Sequence, residues 1–167
     1  DMYLDETPSI TVPEMKAKLR RLGNVDLVII DYLGLMRSAT TKENRVQEVS
    51  DITRNLKIMA KELKVPVIAC AQLSRGTEVK GKSHKPQLSD LRESGSIEQD
   101  ADIVLFLYRE KYYDTEENID DPEQVSDPNM AECIVAKNRH GECKTIPLHW
   151  DGQFTRFTAP TNIYDNQ

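Results

Sequence analysis

The sequence places one carboxylate directly after a short run of apolar residues. Leu27, Val28, Ile29 and Ile30 are followed by Asp31. A continuous apolar run that contains Val and Ile is typical of a strand buried on both faces of a parallel sheet. Open α/β sheets bind their ligands beyond the carboxyl ends of such strands. Asp31 is therefore a candidate ligand-binding residue, and the alternative is an ordinary core strand that ends at an acidic turn.

This strand and its carboxylate have the form of the Walker B segment of P-loop nucleotide hydrolases. In that class the Asp helps to hold the Mg²⁺ of the bound nucleotide. A second apolar run, Val67 to Ala71, predicts another buried strand, and Gln72 follows it. An amide there can hydrogen-bond a γ-phosphate or its attacking water and report the nucleotide state to the adjoining loop. The alternative is that Gln72 only caps the strand edge.

Charge is distributed unevenly along the chain, whose formal net charge is −6. Residues 114–132 contain eight acidic side chains and no Lys or Arg, whereas residues 75–92 contain five basic and two acidic ones. Local charge, more than the net charge, decides whether a segment binds phosphate. The basic segment is therefore a candidate nucleic-acid contact, although a basic loop is often merely solvated. It consists of Arg75, Lys80, Lys82, Lys85 and Arg92.

Length and composition restrict the class of protein. A chain of 167 residues with 38% hydrophobic and 30% charged residues is expected to form one globular domain with a real core. No apolar run approaches the ~20 residues that span a bilayer. Cys70, Cys133 and Cys143 are widely separated and form no C-x-x-C pair. A disulfide scaffold and a zinc site are therefore weak interpretations, and we expect a reducing, cytoplasmic location.

Helix signals precede each of the first two strands. Thr11 to Glu14 forms a capping box, and Gly23 ends an apolar stripe at helical spacing, so a helix is predicted between them. Residues 40–43 suggest a second capping box, followed by an apolar stripe that predicts a long helix over about 42–64. Pro66 marks its end. Helix then strand, repeated, is typical of α/β proteins.

The second half of the chain predicts a different pattern. Residues 88–100 suggest two short helical turns broken at Gly95, and residues 102–108 suggest a third buried strand. Residues 112–130 are acidic and contain two prolines, so they predict a loosely held insertion. Residues 131–137 and 142–150 flank a polar tip and predict a hairpin.

Four stretches together resemble the C-terminal motor domain of DnaB-type replicative DNA helicases. They occur in the family's order and spacing, and the resemblance extends from about residue 3 to about residue 157. The stretches read IDYLGLM at 30–36, VPVIACAQLSR at 65–75, SDLRESGSIEQDAD at 89–102 and AKNRHG at 136–141.

The resemblance implies an α/β fold, a RecA-like αβα sandwich whose parallel central sheet is extended by antiparallel C-terminal hairpins. It also implies a homo-hexameric ring that hydrolyses ATP with Mg²⁺ at subunit interfaces, moves along single-stranded DNA and unwinds the duplex. Primase and a helicase loader are the implied partners, with no membrane. We expect residues 1–160 to form part of this ATPase domain, with 112–130 as an insertion and 161–167 as a polar tail.

The resemblance also implies roles for individual residues. Asp31 becomes the Walker B ligand of Mg²⁺, and Gln72 becomes the γ-phosphate sensor. On the hairpin, Lys137 and Arg139 are the cations expected to reach the triphosphate of a neighbouring subunit, although an anonymous Arg in such a turn would simply be solvated. The DNA-facing residues are Arg75, Arg92, Glu93 and Gly95. Contacts of this kind to the DNA backbone predict binding that is insensitive to sequence and strongly dependent on salt.

One departure from the family concerns the phosphate-binding loop, G-x-x-x-x-G-K-[ST]. The resemblance places this loop and the catalytic Glu upstream of the part represented here, and we therefore expect no such loop in the chain. The chain is expected to hydrolyse no ATP by itself, because most of the electrostatic stabilisation of phosphoryl transfer would be absent. Two alternatives remain: another RecA-type ATPase such as a recombinase, or a non-catalytic DNA-binding or oligomerisation module.

Overall fold

The computed structural model describes residues 1–73, 85–109 and 128–160, and within these ranges the side chains of residues 92–94 are not described. The chain divides into two compact units. The first contains Asp1–Ser74 and Leu91–Ala101, and the second contains Arg75–Asp90 and Asp102–Gln167.

The first unit packs helices against a pair of parallel strands. Its elements are α1 (Val12–Leu22), β1 (Val28–Ile30), a 3₁₀ turn (Leu33–Leu35), α2 (Arg45–Leu63), β2 (Val67–Ala69) and α3 (Gly95–Asp100). Strands β1 and β2 pair in parallel, with Ile30 opposite Ala69. The short helical turns before α3 span Leu88–Ser94, and α3 follows directly from Gly95, so the two predicted helical segments are confirmed. The predicted break at Gly95 is wrong, because the non-helical residue is Leu91.

The first predicted helix begins and ends where its capping signals lie. The Thr11 hydroxyl accepts a hydrogen bond from the Glu14 backbone N–H, while the Glu14 carboxylate accepts one from the Thr11 backbone N–H at 2.9 Å. Gly23 follows the helix with φ of 82°, a conformation that L side chains rarely adopt. Both ends of α1 are therefore encoded locally.

The start of α2 differs from the prediction. The helix begins at Arg45, because the side chain of Asn44 accepts a hydrogen bond from the Gln47 backbone N–H at 2.9 Å and acts as the N-cap. The predicted capping box at 40–43 is therefore wrong. The end is close to the prediction, since Lys64 adopts a left-handed conformation with φ of 55° just before Pro66.

The core of the first unit lies on one side of the strand pair. Ile52 and Met59 of α2 are each 1% exposed, and they cluster with Leu56 and with Ile30 of β1. Val12 joins the cluster from α1. This face is a continuous apolar contact between two helices and the two strands.

The prediction that β1 and β2 are buried on both faces is wrong for the described chain. Ile29 is 63% exposed and Ile68 is 53% exposed, whereas Ile30 is buried. Successive residues of a strand point to opposite faces, and α1 and α2 pack against the face that carries Ile30. Cys70, just after β2, is likewise exposed.

The second unit contains an antiparallel sheet in the order β3-β4-β5-β6. Its strands are Ile103–Tyr108, Met130–Asn138, Thr145–Asp151 and Arg156–Thr158. Strands β4 and β5 pair with Ile134 opposite Thr145, so the predicted hairpin is confirmed. Met130 already belongs to β4, so the predicted insertion ends too late, and the rest of that insertion up to 127 and the tail at 161–167 lie outside the described residues.

Strand β3 is not the third fully buried strand that the sequence predicted. Ile103, Leu105 and Leu107 are 56–59% exposed, while Phe106 and Tyr108 are each 5% exposed. This alternation is typical of an antiparallel strand with one face on a core, and the strand that β3 pairs with is antiparallel β4. In the part of the chain that is described, no helix is long and apolar enough to cross a membrane.

Removal of the Ile52 side chain is expected to destabilise the first unit strongly. Ile52→Ala should lower the free energy of unfolding by about 2–5 kcal/mol, because it leaves a cavity in the core. Ile58→Ala on the same helix is the matched control: Ile58 is 45% exposed, and its loss should cost only about 0.5 kcal/mol. Urea unfolding of the chain, followed by circular dichroism, measures both. Equal losses would show that the helix faces are assigned wrongly.

Candidate functional site

Asp31 and Gln72 follow the two parallel strands at the same edge of the pair. The Cys70 backbone N–H donates to the Ile30 carbonyl at 2.9 Å, and the Leu33 N–H donates to the Cys70 carbonyl at 2.9 Å. These two bonds continue the pairing past the end of β1 and fix the turn that contains Asp31. Both predicted residues are exposed at this edge, where open α/β sheets bind ligands.

Arg45 holds the turn that follows Asp31. Its guanidinium donates to the Gly34 carbonyl at 3.0 Å and lies 3.5 Å from the Leu33 and Met36 carbonyls. The same side chain donates to the Glu48 carboxylate at 2.6 Å. An Arg fork is suited to such a cluster of acceptors, because its five N–H groups lie in one rigid plane. The first turn of α2 is thereby tied to the Asp31 edge.

Glu48 completes this contact as the partner of Arg45. The hydrogen bond from Arg45 is the main cause that holds the pKa of Glu48 below its usual value, and the Ser38 backbone N–H, 3.3 Å away, adds to it. The Ser38 hydroxyl in turn donates to the Asp51 carboxylate at 2.6 Å. The segment between the 3₁₀ turn and α2 is therefore fixed at several points.

Gly34 lies against the ring of Tyr32. A Cβ added at Gly34 would meet this ring, and the ring would have to move. Tyr32 is adjacent to Asp31, and its side chain is exposed. The effect of a larger residue at position 34 on the turn that carries the carboxylate therefore depends on how freely this ring can move.

The Asp31 carboxylate is free to bind a cation. It is exposed, and within the described residues it has no hydrogen-bond or ion-pair partner. Over the same ranges, no cluster of three His, Cys, Asp or Glu side chains is present. Mg²⁺ bound with a nucleotide keeps several waters and uses one or two carboxylates together with phosphate oxygens. A single strand-end Asp fits that role.

In the second unit, the predicted cations lie at the end of β4. Lys137 pairs with Val104 of β3, and just beyond the strand the Arg139 backbone N–H donates to the Asp102 carbonyl at 3.0 Å. The Arg139 Nε lies 3.8 Å from the Asp102 carboxylate, and Arg139 remains 45% exposed. Asp102 was not among the predicted site residues, because nothing in the sequence indicates which acidic group faces Arg139.

The described residues include part of the predicted DNA-facing set. Gly95 is exposed and begins α3. Arg92 and Glu93 lie in the preceding 3₁₀ turns, and their side chains and the whole of Arg75 are outside the described part of the chain. Lys85 belongs to the basic segment that is a candidate nucleic-acid contact, and it donates to the Glu132 carboxylate at 2.7 Å.

A partly buried hydrogen bond connects α2 to α3. The Thr53 hydroxyl lies 2.7 Å from the Asp100 carboxylate, and the two residues are 47 positions apart in sequence. A contact between such distant residues gives no local signal.

Residues 1–159 match the protein family described as "DnaB-like helicase C terminal domain". The chain belongs to this family. It is 45% identical over 169 residues to the replicative DNA helicase DnaB of Rickettsia felis, an alignment that covers 93% of this chain and 34% of that protein. It is 46% identical over 169 residues to the replicative DNA helicase DnaC of Bacillus subtilis, with 99% of this chain and 35% of that protein covered.

Solved structures show the fold of this DnaB-like domain. One of them, described as an ATPase domain, superposes with a TM-score of 0.78 at 40% identity, and covers 89% of this chain and 51% of that one. A DnaB-like replicative helicase, studied for its interactions with primase, superposes with a TM-score of 0.77 at 40% identity, with 89% and 36% covered. The RecA-like α/β fold expected from the sequence is confirmed. The chain spans about a third of the length of the curated relatives it matches.

The expectation that the chain contains no G-x-x-x-x-G-K-[ST] segment is wrong. Residues 76–83 read GTEVKGKS, which satisfies G-x-x-x-x-G-K-[ST]. The motif has its meaning only where a strand leads in and a helix begins. These residues lie outside the described part, but the described residues 85–87 that follow are not helical and include Pro86. The local context therefore does not favour a nucleotide cradle at 76–83.

The Arg45 contact can be tested through Glu48. Because the folded pKa of Glu48 is lowered, its stabilising contribution is complete above the usual value of 4.5 and is lost as pH falls through the folded value. Arg45→Met should raise the pKa of Glu48 towards 4.5 and flatten the fall in stability at acid pH. Arg54→Met removes an exposed Arg from the same helix. It should change neither the pKa of Glu48 nor the dependence of stability on pH. Titration of the Glu48 carboxyl by NMR decides, and an unchanged pKa in Arg45→Met would contradict the contact.

Proposed function

We propose that this chain supplies the later part of the ATPase motor of a replicative DNA helicase. In the intact protein, ATP hydrolysis at subunit interfaces is coupled to translocation on single-stranded DNA and to duplex unwinding. The observation that carries the proposal is the shared edge of Asp31 and Gln72 beyond two parallel strands, in a chain that matches the helicase family over residues 1–159.

Asp31 and Gln72 act on the nucleotide side of the reaction. Asp31 would hold the Mg²⁺ of bound ATP directly or through water, and the ion would supply positive charge to the phosphates. Gln72 hydrogen-bonds the γ-phosphate or the attacking water through its amide. Because the basic segment follows Gln72 closely in the sequence, we propose that the state of that hydrogen bond is passed to the DNA-contacting residues.

Arg139 and Lys137 act on the ATP of a neighbouring subunit. Both lie at the end of β4, where a paired strand limits their movement. A guanidinium delivered in trans stabilises the charge that builds up on the transferred phosphoryl group, and such a group is worth about 10³–10⁵ in rate. Asp102, 3.8 Å from Arg139 Nε, orients the guanidinium when no phosphate is bound.

Arg75, Arg92, Glu93 and Gly95 form the DNA-contacting set. The cations neutralise phosphates, Gly95 allows close approach of the backbone, and Glu93 orients Arg92 or a neighbouring backbone group. We also propose a homo-hexamer, a helicase loader as a partner and a cytoplasmic location, as the resemblance to the family implies. Primase as a partner rests on the structure neighbour that was studied for its interactions with primase.

A mixing experiment tests the shared interfacial site. The chain is joined to the N-terminal half of the ATPase domain, and Asp31→Ala and Arg139→Ala are assayed for DNA-stimulated ATP hydrolysis, singly and mixed. Each single variant should lose at least about 10³-fold in rate, whereas the mixture should regain activity, because some interfaces then combine an intact Asp31 with an intact Arg139. Arg54→Ala, which removes an exposed Arg, should retain full activity.

Three outcomes would contradict the proposal. Full activity in Arg139→Ala would make the hairpin cation structural only. Strand exchange without unwinding by the joined protein would favour a recombinase. Hydrolysis by the 167-residue chain alone, abolished by Lys82→Ala, would show that residues 76–83 bind phosphate and that no upstream loop is needed. We expect no hydrolysis by the chain alone.

A further inference from the structure

Thr53 is a polar side chain in the apolar face of α2. It is 8% exposed and lies one position from Ile52, the side chain at the centre of the core. Its Oγ1 is 2.7 Å from the Asp100 carboxylate and 3.2 Å from the Ser50 carbonyl. A hydroxyl has one hydrogen to donate, and the charged, closer acceptor makes the stronger bond.

Asp100 is the last residue of α3, a helix of only six residues. A helix this short is not stable without tertiary contacts. Ile97 packs against the core cluster, and the hydrogen bond from Thr53 fixes the end of the same helix. Both contacts therefore attach α3 to the rest of the first unit, and the Thr53 bond joins its last residue directly to α2.

Helix α3 begins at Gly95, directly after the segment that contains Arg92 and Glu93. The placement of α3 thus sets the position of the end of this segment in the first unit. The same α2 that carries Thr53 also carries Arg45, which holds the turn after Asp31 and lies about two helical turns away. Helix α2 is therefore bonded both to the turn after Asp31 and to α3, the helix that begins at Gly95.

We propose that Thr53 and Asp100 are positioning residues that hold residues 92–95 in the geometry that contacts DNA. The pair touches neither nucleotide nor DNA. Its hydrogen bond fixes the position of residues 92–95 relative to α2, and α2 is also bonded to the turn after Asp31. This connection allows DNA binding to stimulate hydrolysis. The inference rests on the proposed function, because it takes the DNA-contacting role of residues 92–95 from it.

The test uses the chain joined to the N-terminal half of the ATPase domain. Thr53→Val removes the donor with little change of shape, and Asp100→Ala removes the acceptor at an only partly buried helix end. Both should weaken binding to a single-stranded oligothymidylate and lower the DNA stimulation of ATP hydrolysis about tenfold. Hydrolysis without DNA should be unchanged, and the double variant should be no worse than either single variant.

Two control variants separate positioning from general stability. Thr53→Ser keeps the hydroxyl and should retain near wild-type stimulation. Asp26→Asn removes an exposed carboxylate and should change nothing. Binding is measured by fluorescence anisotropy well below the melting temperature of each variant, so that a loss of stability alone leaves the affinity for DNA unchanged.

The results also distinguish failure of this inference from failure of the proposed function. If Thr53→Val and Asp100→Ala melt earlier but keep the wild-type affinity and stimulation, the hydrogen bond is structural only and the inference is overturned. A Thr53→Ser variant as defective as Thr53→Val would overturn it too. If the unsubstituted protein shows no DNA-stimulated hydrolysis, the proposed function fails, and this inference with it.

Discussion

The packing of α2 against the parallel strand pair is the contact on which the first unit depends. Two strands of three residues each are at best marginally stable by themselves. Ile52, Leu56 and Met59 bury an apolar face against Ile30, and this contact gives the strands a fixed place. The Asp31 edge exists only because its strand is held in this way.

Polar contacts at the border of this core fix the positions of the segments next to it. Arg45 binds the carbonyls of the turn after Asp31, and Thr53 binds the carboxylate of Asp100. Thr53 is buried, and a buried polar group left without its partner costs more than an ordinary hydrogen bond contributes, so the bond to Asp100 favours one arrangement of α3 over its alternatives. Because both side chains belong to α2, the Asp31 edge and α3 are attached to the same helix.

Local signals in the sequence predicted the helices and strands better than they predicted which residues are exposed or which distant residues are in contact. The Thr11 capping box and the β4–β5 hairpin were found because their residues are close in sequence. The cap at Asn44 was missed because several polar residues compete for that position. The exposure of Ile29 could not be predicted, since it depends on which face of the strand the helices cover. The bond between Thr53 and Asp100 joins residues 47 positions apart and leaves no periodic pattern.

Native-state hydrogen exchange of the 167-residue chain tests most directly whether α2 holds the Asp31 edge. The account predicts that the amides of Leu33 and Cys70, which pair across the end of the strands, exchange as slowly as those of the buried face of α2 and open together with them. Fast exchange at Leu33 and Cys70 beside a protected α2 would contradict it, because the Asp31 turn would then open independently of the helix.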